Sequence, residues 1–133
     1  MPDPHVPVSW GELLDKIAIL EIKRHRLRAA PALANVERER AALWPALAAL
    51  TPEPAGLPAG LSELRAALAA VNQRLWTIED RIREKEAAQD FGADFVALAR
   101  SVYRENDERG RIKQAINALL GSGLVEEKQY SAY

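Results

Sequence analysis

Residues 61–120 decide the fold: LSELRAALAAVNQRLWTIEDRIREKEAAQDFGADFVALARSVYRENDERGRIKQAINALL. In the first half, Leu61, Leu64, Leu68, Val71, Leu75, Ile78 and Ile82 recur at alternating spacings of three and four. That spacing keeps one apolar stripe on one side of a helix. From Phe91 the same spacing selects Phe91, Phe95, Leu98, Val102, Glu105, Arg109, Ile112, Ile116 and Leu119. Only Glu105 and Arg109 interrupt this second stripe, and they are consecutive in it. A regular seam on both sides of a polar pair predicts that the pair faces protein rather than water. The turn at Asp90-Phe91-Gly92 is too short for anything but antiparallel helices. At 1.5 Å per residue, each helix is about 40 Å long.

Outward from this hairpin, Gly121-Ser122-Gly123 is a helix stop, and the tail 121–133 has no clear period. On the other side, 51–60 (TPEPAGLPAG) is a proline- and glycine-rich loop. Before it lies a helix with Pro31 in its first turn and a seam of Leu33, Val36, Arg40, Leu43, Leu47 and Leu50. Pro45, late in that helix, is expected to kink or loosen it. The first helix opens on the capping-box pattern Ser9-Trp10-Gly11-Glu12. Its seam is Leu13, Ile17, Leu20 and Leu27, with Arg24 in an apolar slot. Leu14, Ile19 and Ile22 widen the apolar face, so the helix is packed on more than one side. Residues 1–8 carry three prolines and read as extended.

The expectation is a single all-α domain over 1–133, an antiparallel helical bundle of about four helices in two hairpins. Residues 9–50 form the first hairpin and 61–120 the long second one. Excess apolar surface on the first and last helices points to a homodimer that would bury it.

Charged residues make up 28% of the chain, yet the net charge is only -1. Such a balance argues against a nucleic-acid partner, whose binding needs a basic excess. The one basic run, Lys23 to Arg28, covers most of a helix circumference and reads as a solvated face. There is no cysteine, which removes disulfides and thiolate chemistry and fits a reducing cytoplasm. The opening lacks the charge and apolar pattern of a signal peptide, and no apolar stretch approaches a bilayer span. A cytoplasmic protein without membrane contacts is expected.

The interrupted seam carries what chemistry the sequence offers. Folding the hairpin about its turn sets Glu105 and Arg109 level with Val71, Asn72, Leu75 and Trp76. Glu79 lies one turn further on. Asn72, Trp76, Glu79 and Arg83 flank the seam on one helix; Tyr103, Asn106, Lys113 and Asn117 flank it on the other. A polar layer across the bundle follows, and it has two readings. As structure, Glu105 and Arg109 form an i,i+4 ion pair that fixes register. As a site, two of the seam arginines Arg24, Arg40 and Arg109 converge into a fork for phosphate or carboxylate, with Lys113 and Glu105 beside them. Gly110, costly within a helix, marks either a close approach or a local break.

Other chemistry is thin. Glu12 with Asp15, and Glu105 with Glu108, put paired carboxylates on one helix face, but not at the spacing of helical metal-dependent pyrophosphatases. His5 and His25 lie in unordered and basic surroundings, so no metal and no cofactor are expected. The function expected is a non-catalytic binding or assembly module. The alternative is an enzyme or small-anion binder using the arginine, lysine and glutamate layer.

Four segments together carry a resemblance: VSWGELLDKIAILEIK (8–23), LWTIEDRIREKE (75–86), FVALARSVYRENDERGRIKQAIN (95–117) and LLGSGLVEEKQY (119–130). They resemble a bacterial domain-of-unknown-function family of short, all-helical proteins. The resemblance implies a small stand-alone bacterial protein and no particular activity. It also implies that the tail is ordered as far as Tyr130, with Leu124, Val125 and Tyr130 packing back on the bundle.

Overall fold

Ser9 starts the first helix: its hydroxyl accepts the Glu12 amide at 3.0 Å, filling an amide that has no partner inside the helix. In the computed structural model, which describes residues 1–50 and 56–133, the chain forms four helices. These are α1 (Trp10–Arg26), α2 (Ala30–Ala48), α3 (Leu61–Ala87) and α4 (Ala93–Leu119). No strand occurs among the described residues. The all-α bundle read from the sequence is the observed architecture. Of the 51–60 loop, residues 51–55 lie outside the described residues, and 56–60 are not helical.

The capping box is half made. The serine half forms, but the Glu12 carboxylate accepts from Lys113 of α4 at 2.6 Å instead of turning back to the cap. At the far end of α1, Lys23, Arg24 and Arg26 place positive charge on the carbonyl end of the helix dipole. In α2, Pro31 sits in the first turn as expected, and the helix runs on through Pro45 to Ala48.

Both long helices end in the same geometry. Past α4, Gly121 has φ +61°, its amide donates to Ala118, and Ser122 donates to the Asn117 carbonyl at 2.8 Å. Past α3, Gln89 takes the left-handed position at φ +53°, and Asp90 donates to the Lys85 carbonyl at 2.9 Å. Each is a Schellman closure that satisfies the last carbonyls and turns the chain sharply. The Asp90 carboxylate then accepts the Gly92 amide ahead of α4. Gly110 lies within α4, which is continuous across it, so the helix does not break there.

The core sits at one end of the hairpin. Leu14, Leu61, Leu68, Val71, Ile112 and Ile116 form a buried cluster, and Leu47 at the end of α2 and Leu50 just past it pack against it. Burying side chains of this size stabilises by about 1.5–3 kcal/mol each. All buried residues of α3 fall between 61 and 72, and all those of α4 between 112 and 117. The remainder of the hairpin is a two-helix arm with a half-covered seam: Ile78, Ile82, Phe95 and Leu98 are partly exposed, and Phe91 is half exposed.

Helix α1 crosses the base of the hairpin. It begins against α4, where Gly11 lies, and ends over α3, where the Arg26 guanidinium donates to Gln73 at 2.9 Å. Its opposite face carries α2. The broad apolar surface of α1 is therefore covered on two sides within the chain, and Leu13, Leu14, Ile17, Leu20 and Ile22 are all buried.

Candidate functional site

Where α1 crosses the hairpin, the stripe of α1 facing α3 and α4 contains Asp15, an acid among leucines and isoleucines. Asp15 is buried, and its carboxylate is divided between two partners. The Asn72 amide donates to one oxygen at 2.8 Å, and the Lys113 ammonium lies 3.2 Å from the other. Lys113 also donates to Glu12 at 2.6 Å. The hydrogen bond from Lys113 holds the Glu12 carboxyl below its ordinary range, against a smaller desolvation that opposes it. For Lys113, burial is the largest single influence and disfavours the charge. The hydrogen bond to Glu12 and the nearby Asp15 carboxylate together outweigh it, so its ammonium is held above the ordinary lysine range.

This polar layer continues toward the chain ends. The Gly11 amide donates to the buried Asn117 side chain at 2.7 Å. Ser9 donates to Glu126 at 2.5 Å, and the Trp10 amide donates to Ser122 at 3.3 Å. Among the described residues no fully buried side-chain nitrogen or oxygen lacks a partner.

Arg109 is the exception to this close pairing. It is half-buried, yet among the described residues its guanidinium makes one hydrogen bond, a long one of 3.3 Å to the Asn72 side-chain oxygen, and no described carboxylate lies within 4.0 Å of it. Since no buried donor is unsatisfied, its remaining N–H groups open onto solvent-filled clefts. On the side of α1 it lines a groove of about 540 Å³ with Ile19, Ile22, Trp76, Glu79 and Asn106. On the other side it lines a larger cleft, about 1070 Å³, between α4 and the C-terminal segment.

Several expected residues thus come together: Asn72, Trp76, Glu79, Asn106 and Arg109 share one groove, and Lys113 joins the layer through Asp15. Others do not. Glu105 pairs across the hairpin with Arg74 at 2.9 Å and not with Arg109, so the expected intrahelical pair is absent. The two side chains leave α4 toward opposite flanks of α3, where an arginine and an asparagine respectively receive them. Arg24 and Arg40 do not converge on Arg109 either. They form a lattice with Glu21 and Glu37 between α1 and α2, with Arg24–Glu37 at 2.7 Å and Arg40–Glu21 at 2.8 Å. Tyr103 faces the C-terminal segment, its ring edge-on to Tyr133 with centroids 4.9 Å apart.

The segment after Gly121 returns to the bundle, but not through the residues that the resemblance suggested. Leu124, Val125 and Tyr130 stay exposed. Glu126 reaches Ser9, Lys128 lies over Gly110, and the Tyr133 hydroxyl donates to Asp107 at 2.6 Å. That bond to Asp107 raises the Tyr133 hydroxyl above its ordinary range. Asp15 and Asn117 were visible in the sequence as polar residues beside apolar seam positions; Gly11 and Lys128 carried no such signal. Among the described residues no three histidine or carboxylate side chains converge as metal ligands would. No helix is long and apolar enough to cross a membrane, among the residues described. Comparison with protein-family models, with curated protein sequences and with solved structures found no match.

Proposed function

We propose that the protein is a non-catalytic binding module whose polar layer takes a small anionic ligand through Arg109. One observation carries this reading: a half-buried guanidinium with no carboxylate partner among the described residues, in a layer where Lys113, Glu12 and Asp15 are all matched. A charge withdrawn from water is costly unless it is paired, and a guanidinium fork matches carboxylate or phosphate. Binding rather than catalysis is favoured because the Arg109 partner is an amide, which does not exchange protons near neutral pH, and because Lys113 is held by two carboxylates.

The reading is tested by thermal unfolding with phosphate, nucleotides and dicarboxylates at equal ionic strength. A bound anion at a hundred times its dissociation constant stabilises by about 2.7 kcal/mol, a rise of several degrees for a domain of this size. The rise is expected to vanish in Arg109→Ala. No response to any of these anions would overturn the reading.

A further inference from the structure

We infer that the anion is a phosphate carried by a small molecule, and that it lies in the cleft between α4 and the C-terminal segment, held jointly by Arg109 and Lys128. The inference rests on Arg109 as an anion anchor; it adds the side, the ligand class and a second cation.

Charge separates the two sides of Arg109. On the α1 side, the groove also contains Glu79, Asp80 and Arg83, and Arg83 is already 3.5 Å from Glu79. Carboxylates there equal cations, and an incoming anion gains little. The opposite cleft contains the side chains of Arg109, Arg111 and Lys128 against one side-chain carboxylate, Asp107. Asp107 is engaged by the Tyr133 hydroxyl, and Arg111 lies 2.7 Å from Glu108. Arg109 and Lys128 remain, neither with a carboxylate within 4.0 Å among the described residues.

The position of Lys128 is defined by the fold. The segment that carries it is tied on one side by Glu126 to Ser9 and on the other by Tyr133 to Tyr103 and Asp107. Between these ties Lys128 lies flat over Gly110. A Cβ on that glycine would stand 3.4 Å from the Lys128 ammonium and 3.7 Å from its Cδ and Cε. Gly110 directly follows Arg109, so the second cation rests on the helix beside the first, and both side chains line the same cleft. Glu12 acts on Arg109 at longer range, and Glu126 lines a small hollow with both cations. Lys113 and Ser9 hold those carboxylates, so the two neighbouring positive charges are left without a direct partner and repel. A phosphate ester, with about -1.5 to -2 charge and three acceptor oxygens, suits a guanidinium fork plus an ammonium better than a single carboxylate does. Tyr130 and Ser131 border the same space, and the segment becomes a strap across the bound group.

The experiment is calorimetric titration of the full chain with inorganic phosphate, glucose 6-phosphate and succinate at constant ionic strength. It uses the wild type, Arg109→Ala, Lys128→Ala and Arg83→Ala, each checked for helicity. Both phosphates are expected to bind the wild type more tightly than succinate. Lys128→Ala is expected to weaken phosphate binding by about tenfold or more, as for loss of a charged hydrogen bond. Arg83→Ala, which removes the same charge from the other groove, is expected to leave it unchanged. Tighter binding of the sugar phosphate supports an ester as ligand; equal binding supports the site but overturns the ester in favour of the free ion. If Lys128→Ala binds like wild type while Arg109→Ala does not, the strap-side site is wrong and the Arg109 reading survives. Succinate binding as tightly as phosphate overturns the ligand class. No anion binding to the wild type overturns both.

Discussion

At Gly11 two helices meet backbone to backbone. A Cβ there would lie 2.6 Å from the Lys113 carbonyl oxygen and 2.9 Å from the Asn117 side-chain oxygen. Neither can yield easily, because one is helix backbone and the other already accepts the Gly11 amide. Gly11→Ala would lift α1 off α4 and strain the bonds to Asn117 and Lys113 together. A loss of about 2–4 kcal/mol in urea unfolding is expected, combining overpacking with a broken buried hydrogen bond. A loss below about 0.5 kcal/mol would show that the helices separate at no cost. The sequence drew attention to the other interhelical candidate, Gly110, because a glycine inside a long periodic stretch is conspicuous. Gly11 hides in the first turn of a helix, where glycine breaks no pattern, so its demand was not legible.

Between elements, the α1–α4 junction depends on two charges whose titration has opposite signs. The folded pKa of Glu12 is depressed. Its contribution is therefore complete above the ordinary carboxyl value, about 4.3, and is lost as pH falls through the folded value. The folded pKa of Lys113 is raised. Its contribution is complete below the ordinary lysine value, about 10.4, and is lost as pH rises through the folded value. The stability advantage of wild type over Glu12→Gln is expected to be constant from about pH 5 to 9 and to shrink below about pH 4. An advantage unchanged at pH 3, in urea midpoints, would remove Glu12 from the junction. Helical periodicity gave the elements and their pairing nearly completely, since the seam is a property of one strip of sequence. It did not give the partners of Glu105 and Arg109. An i,i+4 spacing says which side chains can meet on one helix, but Arg74 and Asn72 on the facing helix decide which of them do.

Over the whole molecule, stability is concentrated at the base of the hairpin. Leu68 is almost completely buried among α1, α3 and α4 residues, whereas Ile82, in the same seam, is only partly covered by one facing helix. Leu68→Ala is expected to cost about 2–5 kcal/mol and Ile82→Ala about 1 kcal/mol or less. Equal losses in urea unfolding would mean that the arm is as tightly packed as the base. Hydrogen exchange is expected to divide along the same line, with arm amides opening locally and base amides only on global unfolding.

The bond from Gly11 to Asn117 spans 106 positions, and that from Ser9 to Glu126 spans 117. Of the four helices α1 leaves the ribosome before the others, and α2 can cover one of its faces soon afterwards. Its other face meets α3 first, where Asn72 donates to one Asp15 oxygen, but the second oxygen and the Gly11 amide have no partner until Lys113 and Asn117 of α4 have been made. Until then the nascent chain carries an apolar strip that α3 only half covers, with a half-matched acid in it, the kind of surface that chaperones hold and that aggregates when they do not. A chain released before Asn117 never completes the junction, however well its earlier helices form.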